Sequence, residues 1–423
     1  MAAHDSEASS MDPRKRQTAT ATPAEPGELL WILGNSHILK QSPARTSAQS
    51  ASINRRATTI HPVLAALRPR SPLFFRPPGG RLYGLDLLRF CAAASVFVYH
   101  QVLNGRMVAG FPPTSAFLSE IGRYGYVGVH LFFVLSGFVI LATALRTDGA
   151  GFLAGRFARI FPTFAFCALV SMLALGAVEG RDAPSIALYI ANLTFIPQAF
   201  GFQWIDGVFW TLRYELQFYG FVFLLLVTGQ LRRMGWYLTW LWLGIGALQA
   251  AGVLLEPLRY LFVADYAPLF IAGVGLYWCV EAPSPARILL VVAATSIAVL
   301  SELPRISANE ALIHLALNPW LVCAIIAIMP LLLLVALRLP LKRIGPLCYF
   351  LGGISYPLYL LHNNMSVALM PRLGLWLGLA IVFAASAIVF LADEKIRRSI
   401  HVALARLVRR AFLRPVLPGS PAN

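Results

Sequence analysis

Charge is what this chain has least of. Only 13% of its 423 residues are Asp, Glu, Lys or Arg, while 58% are hydrophobic and the mean hydropathy is +0.67. Soluble domains carry about 25% charged residues, so a surface wetted all round is excluded. Lysine is nearly missing, 4 residues against 31 arginines. With abundant alanine, that bias fits a GC-rich bacterial genome. Acidic residues number 19, leaving a net charge of +16. Cysteine is also scarce. Cys91, Cys167, Cys279, Cys323 and Cys348 all fall in or beside apolar runs, with no C-x-x-C pair and no zinc spacing. They read as small buried hydrophobes, and no metal site is expected. No basic-then-apolar leader with a cleavage site stands at the start, so no signal peptide is read. Basic proteins can bind nucleic acid, but no recognition motif accompanies this charge.

Long apolar runs are what is there. Ten are placed near 86–105, 125–146, 158–179, 208–229, 234–255, 261–281, 286–302, 311–337, 346–369 and 373–393. The seventh is short. The predicted fold is therefore an all-α, polytopic transmembrane bundle of about ten spans. The stretch 184–203 is moderately apolar and reads as re-entrant or interfacial; counted as a span, it would invert everything after it. Residues 81–395 form the membrane domain. Residues 1–80, rich in Ala, Ser, Thr, Pro and Arg, read as a disordered basic cytoplasmic tail, and 396–423 as a second basic tail. Residues 1–85 and 394–423 each carry a net +6, which suits an anionic cytoplasmic leaflet. With the N-terminus inside, the inner loops hold nine basic residues and the outer loops six. That bias places both termini in the cytoplasm, in a bacterial inner membrane.

The polar residues inside these runs carry the functional signal, because an ionisable group in a span is costly unless it is used. The first span, Arg81 to His100, holds Asp86, Arg89 and His100. Arg89 and His100 are eleven residues apart, close to three helical turns, so they share a face with an axial separation of ~16 Å. Asp86 lies one turn before Arg89 on the same side. His130 sits near the outer start of the second span. Arg156 and Arg159 share a face at the inner end of the third and are either a positive-inside anchor or a phosphate site, since guanidinium forks suit phosphate oxygens. Glu215 lies two turns into the fourth span from outside, with Thr211 on the same face and within reach of its carboxylate. Ser355, Tyr359 and His362 line one face of the ninth at i, i+4 and i+7.

These positions stand in recognisable strings. GLDLLRFCAAASVFVYH (84–100), GYVGVHLFFVLSGF (125–138), RFARIFP (156–162), WTLRYELQFY (210–219) and LGGISYPLYLLH (351–362) resemble, in order, the motifs of the acyltransferase-3 family of membrane O-acyltransferases, which acylate envelope sugars. The likeness runs from about 81 to 395. The form W-T-L-x-Y-E is closest to the exopolysaccharide acetyltransferase branch. Many members carry Asp where this chain has His130, so that residue's role does not transfer: orienting His100, binding the acceptor and simple packing all stay open. The 1–80 extension is not part of the family pattern.

The resemblance implies acyl transfer from an acyl-CoA, usually acetyl-CoA, to a hydroxyl of a glycan or lipid-linked sugar. A hydroxyl is a poor nucleophile and needs a base, and a neutral imidazole can accept its proton. The residues implied as catalytic are His100, Glu215 and His130, with an acyl-histidine relay open beside general-base chemistry. Arg89, Arg156, Arg159 and Asp86 are implied for coenzyme A, and Trp210, Tyr214, Ser355, Tyr359 and His362 for the acceptor. The rival class is a secondary transporter exporting an envelope precursor, since ten spans with midplane ionisables fit it too. No internal repeat supports that reading.

Overall fold

The computed structural model describes residues 81–176 and 185–412. The expected tail at 1–80 and the last residues of the second tail lie outside them. The described residues form α-helices and short 3-10 turns, with no strand. In chain order the helices are α1 (Tyr83–Met107), α2 (Ala116–Gly122), α3 (Gly128–Ala144), α4 (Gly149–Gly176), α5 (Ile186–Leu193), α6 (Trp210–Val227), α7 (Gln230–Ala250), α8 (Glu256–Leu261), α9 (Ala267–Glu281), α10 (Pro285–Ile313), α11 (Pro319–Arg338), α12 (Gly345–Leu373) and α13 (Leu375–Phe412).

A helix occupies each of the ten predicted runs. Six helical stretches are long and apolar enough to cross a membrane: Ala116–Ala144, Gly149–Gly176, Pro285–Ile313, Pro319–Arg338, Leu341–Leu373 and Leu375–Arg409. Helices α1, α6 and α7 have 25, 18 and 21 residues but carry more polar side chains. Helix α9 has 15 residues, about 22 Å at 1.5 Å per residue, short of a ~30 Å hydrocarbon layer. The expectation of ten crossings is thus met in length and apolarity by six.

Two boundaries differ in an informative way. The short seventh run does not stop at 302; α10 continues through Pro304 to Ile313. Glu302 and Arg305 look like the polar end of a span, yet Glu302 is buried. Ser284 caps the start, accepting from Arg287 N at 3.4 Å, with Pro285 in the first turn, as proline favours. In the stretch 184–203 the described residues, 185–203, contain only the eight-residue α5 and a 3-10 turn, Pro197–Phe200. At ~12 Å, α5 cannot span. It leaves Ile186 and Ile190 exposed, as an interfacial helix does. The C-terminal tail also begins as helix: α13 runs on to Phe412, and Arg409 pairs with Asp148 before α4.

The core lies between α3 and α12. Every residue from Val129 to Leu141 of α3 and from Ile354 to His362 of α12 is buried. Helices apolar all round belong inside a bundle. Helix α3 packs on α9, while α12 packs on α1, α4 and α13. The α3–α9 crossing is a backbone contact. A Cβ at Gly137 would lie 1.9 Å from Phe270 O, and one at Gly273 would lie 2.0 Å from Val134 O. Small residues allow such approach between membrane helices. Gly137→Ala must push α9 away, and about 1–3 kcal/mol of overpacking is expected. Thermal unfolding in detergent reads it; an unchanged midpoint would show that the crossing is loose.

Candidate active site

Two polar clusters form, one at each end of α1. At its N-terminal end the Asp86 carboxylate accepts from Arg81 Nε at 2.5 Å and Arg81 Nη2 at 3.1 Å, and from Arg89 Nη1 at 3.1 Å. Arg89 is fully buried. Asp86 was expected among the anion-binding residues; both of its oxygens are instead taken by arginines, so it holds guanidiniums rather than a ligand. Gly352 of α12 backs it, since a Cβ there would come within 2.5 Å of Asp86 Cβ. Removing one partner of a buried pair costs ~3–5 kcal/mol. Asp86→Asn should therefore lose stability on that scale, read as a drop in the unfolding midpoint, whereas a neutral result would mean that water reaches Arg89.

Helix α4 brings Arg156 and Arg159 to the same end. Both are buried, and Nε and Nη1 of Arg156 have no hydrogen-bond partner. A guanidinium with buried, unanswered donors is costly and suits an incoming anion. Beside Arg159 lies a cavity of about 20 Å³, which Arg81, Thr163, Tyr349, Asp393 and Arg397 help to line; that is room for about one water. Asp393 accepts from Thr163 Oγ1 at 3.0 Å and pairs with Arg397 at 3.3 Å. The basic extension of α13 thus closes over this cluster.

Glu215 joins the arginines rather than the histidines. Its Oε1 accepts from Ser136 Oγ at 3.1 Å and from the Tyr219 hydroxyl, and Arg156 and Arg159 are in electrostatic reach. The expected Thr211–Glu215 bond is not formed. Thr211 donates to Val208 O at 3.2 Å and meets the Tyr359 hydroxyl at 3.3 Å. The hydroxyls that answer Glu215 come instead from Ser136 of α3 and from Tyr219, one turn on in α6. Glu215 Oε2 stays buried without a partner.

At the other end of α1 two histidines assemble, His100 and His362, and His130, for which orienting His100 was one of the open readings, is not among them. His362 Nε2 lies 3.1 Å from His100 Nδ1. His100 Nδ1 is also 3.0 Å from Val96 O, and His362 Nδ1 is 2.7 Å from Tyr359 O. Carbonyl oxygens only accept, so both Nδ1 atoms carry the proton. His100 Nδ1–H is then shared between Val96 O and His362 Nε2, and both rings are neutral. His100 Nε2 is left with its lone pair, and it is not among the buried atoms lacking a partner. It is the nitrogen available as a base. Phe97 packs edge-on to His362 at 5.6 Å.

His130 does not touch His100; the rings of Tyr99 and Tyr126 lie between them, at successive centroid separations of 5.2, 5.7 and 6.4 Å. Its partner is Glu302, 2.9 Å from Nε2. Trp210 and Tyr214, predicted for the acceptor, gather near His130 through Tyr266: Trp210–Tyr266 is 5.8 Å, Tyr214–Tyr266 5.1 Å and His130–Tyr266 6.2 Å between centroids. Ser355 and Tyr359, also predicted for the acceptor, make backbone hydrogen bonds. Ser355 Oγ donates to Gly352 O at 3.2 Å, and the Tyr359 hydroxyl donates to Val208 O at 2.5 Å, pinning the start of α6 to α12.

Sequence reasoning missed Glu302 and Asp206. Asp206 is buried and accepts from Asn363 Nδ2 at 2.9 Å, Asn364 N at 3.0 Å, Val208 N at 3.2 Å and Ser171 Oγ at 3.3 Å. It fixes the loop before α6 against α12, one and two residues past His362. Asn104 Nδ2 donates to Asn363 Oδ1 at 3.1 Å, which keeps α1 and α12 in register beside the histidine pair. A lone acid between apolar Ile205 and Gly207-Val208-Phe209 was the available signal. Among the described residues no cluster of His, Cys, Asp and Glu could hold a metal ion.

This arrangement, a neutral histidine dyad with an open nitrogen at one end and, at the other, an arginine cluster in which Arg156 keeps unanswered donors, lies within a stretch that a family comparison resolves. The sequence model of the acyltransferase-3 family, described as an acyltransferase domain, matches residues 82–392. The chain belongs to the acyltransferase-3 family. It is a membrane acyltransferase. The match begins one residue before α1 and ends within α13, one residue before Asp393. Neither the curated proteins nor the solved structures include a significant match to this chain.

Proposed function

We propose that this acyltransferase moves an acetyl group from cytoplasmic acetyl-CoA to a hydroxyl of an envelope or exported glycan, in a bacterial inner membrane with both termini in the cytoplasm. The observation that carries the reading is the tautomer of His100, with Nδ1–H held by Val96 O and His362 and Nε2 open. That nitrogen takes the proton from the acceptor hydroxyl as its oxygen attacks the thioester carbonyl. The new C–O bond forms, the C–S bond breaks, and the departing sulfur takes the proton back from Nε2. His100 returns to its starting state and no net proton is released.

The arginine end of α1 supports the donor assignment. Arg89, Arg156 and Arg159 offer buried guanidiniums, and the free N–H groups of Arg156 match phosphate oxygens in geometry and charge. The ~16 Å rise from Arg89 to His100 along α1 is a gap for an extended pantetheine arm. Glu215 sits at the arginines, so it is assigned to orienting them and not to proton transfer at His100.

The test compares base-labile acetyl ester on envelope carbohydrate in a strain deleted for the gene and in the same strain with it restored. Ester that disappears and returns with the gene supports the reading. Equal ester in both would remove the glycan as acceptor.

A further inference from the structure

A second histidine, buried some way from the first, has a bare nitrogen that the reaction at His100 does not use. His130 stands in the first turn of α3, with its side chain almost wholly enclosed. Its Nε2 lies 2.9 Å from Glu302 Oε2 of α10. An ionised carboxylate only accepts, so Nε2 carries the proton and Nδ1 is a lone pair. No hydrogen-bond donor meets that Nδ1, although it is buried.

Glu302 is fixed from behind. Arg305 Nη1 lies 3.6 Å from the same carboxylate oxygen, and Arg305 Nη2 donates to Asp265 Oδ1 at 2.8 Å. Asp265 also accepts from Arg259 Nε at 2.7 Å and Gln249 Nε2 at 3.3 Å. Four elements thus converge to hold one carboxylate against one imidazole. Such a network keeps a ring in a single tautomer and orientation. Around the ring stand Tyr126 and Tyr266, with Trp210 and Tyr214 behind Tyr266. An acceptor of hydrogen bonds among aromatic rings suits a ligand that has both a hydroxyl and an apolar C–H face.

We propose that His130 Nδ1 is a hydrogen-bond-accepting subsite for a second hydroxyl of the polyol acceptor, and that Glu302 is the positioning residue that keeps this nitrogen bare. The subsite rests on the acyl-transfer reading. It distinguishes acceptors by where their second hydroxyl lies, since a site built to pair a hydroxyl discriminates strongly against an analogue lacking it.

The two nitrogens of His130 can be replaced separately. His130→Gln retains a donor near the Nε2 position, facing Glu302, and removes the Nδ1 acceptor. His130→Asn retains an acceptor near the Nδ1 position and gives up Glu302. Each is placed in the deletion strain beside His130→Ala, and the acetyl ester on envelope carbohydrate is measured. Unfolding midpoints and acetyl-CoA affinity are measured on the purified proteins. The expected result is a His130→Gln protein with wild-type midpoint and donor affinity whose ester yield falls by about tenfold or more, and a His130→Asn protein that outperforms His130→Ala. Glu302→Gln should lower the yield in the wild-type background and change nothing further in the His130→Ala background. Wild-type yield in His130→Gln would overturn the subsite. Should that variant not fold, a His130→Asn protein no better than His130→Ala overturns it equally. A wild-type gene that restores no ester would instead overturn the acyl-transfer reading.

Discussion

Replacing His100 with alanine lowers the rate of acetyl transfer by about two to four powers of ten, the usual contribution of a positioned base, while acetyl-CoA binds as before. The expectation follows from geometry. His100 Nδ1–H is spent on Val96 O and His362 Nε2, so the only free lone pair in the dyad is on His100 Nε2. The donor's phosphates are assigned to the other end of α1, ~16 Å away by helical rise, and do not sense the ring. His362→Ala should have a smaller effect. It removes one of two acceptors for His100 Nδ1–H, and Val96 O still holds the tautomer. Full activity in His100→Ala would end the proposal that this nitrogen is the base. Loss of donor binding in the same variant would show that the two ends of α1 are not independent.

The second large effect is expected at Arg156. Its Nε and Nη1 are buried without partners, so the protein bears their desolvation cost in the unliganded state and recovers it when an anion arrives. Hydrogen bonds to charged groups contribute ~1.5–3 kcal/mol each, so Arg156→Ala should weaken acetyl-CoA binding by about 10- to 100-fold. Arg156→Lys should not restore it fully, because an ammonium cannot present the two parallel N–H bonds of a guanidinium. Titration calorimetry with acetyl-CoA and with dephospho-coenzyme A reads both variants. An unchanged affinity in Arg156→Ala would leave the arginine as a membrane anchor, the other reading its position allows. Since folding must bury those donors without partners, the same variant should be no less stable than the wild type.

Much of this architecture was legible in the sequence. Four of the helices carrying the motifs, α1, α3, α6 and α12, begin and end near their predicted limits because their apolar runs are long and bounded by Gly, Pro or Arg; α4 starts at Gly149, nine residues before the run placed at 158–179. Errors fell where polar residues hide inside helices. Glu302 and Arg305 made α10 look short, because a sequence does not show that they pair with His130 and Asp265 inside the bundle. The extension of α13 to Phe412 looked like a tail because its charge was visible and its contacts with Asp148 and α4 were not.

At the site, residue types were legible and partners were not. His100 meets His362 across 262 positions and His130 meets Glu302 across 172. Local spacing can report only neighbours on one helix, so it offered Thr211 for Glu215 and left the partner of His130 open. Where spacing was applied within a helix, as for Asp86 and Arg89, the contact it implied is present. Ser355 and Tyr359 share a face with His362 as expected, but the spacing did not show that their hydroxyls bond to the backbone. Their hydroxyls are taken by Gly352 O and Val208 O.

The central claim is that a thioester is cleaved at the histidine end of this helix bundle. It is tested most directly by reconstituting the purified protein in lipid vesicles with acetyl-CoA and deacetylated envelope carbohydrate, and measuring free coenzyme A thiol against time. The account predicts thiol release that requires the carbohydrate, matches the acetyl ester formed on it one for one, and is lost in His100→Ala. Carbohydrate crossing the vesicle membrane under an ion gradient, with acetyl-CoA left intact, would contradict it.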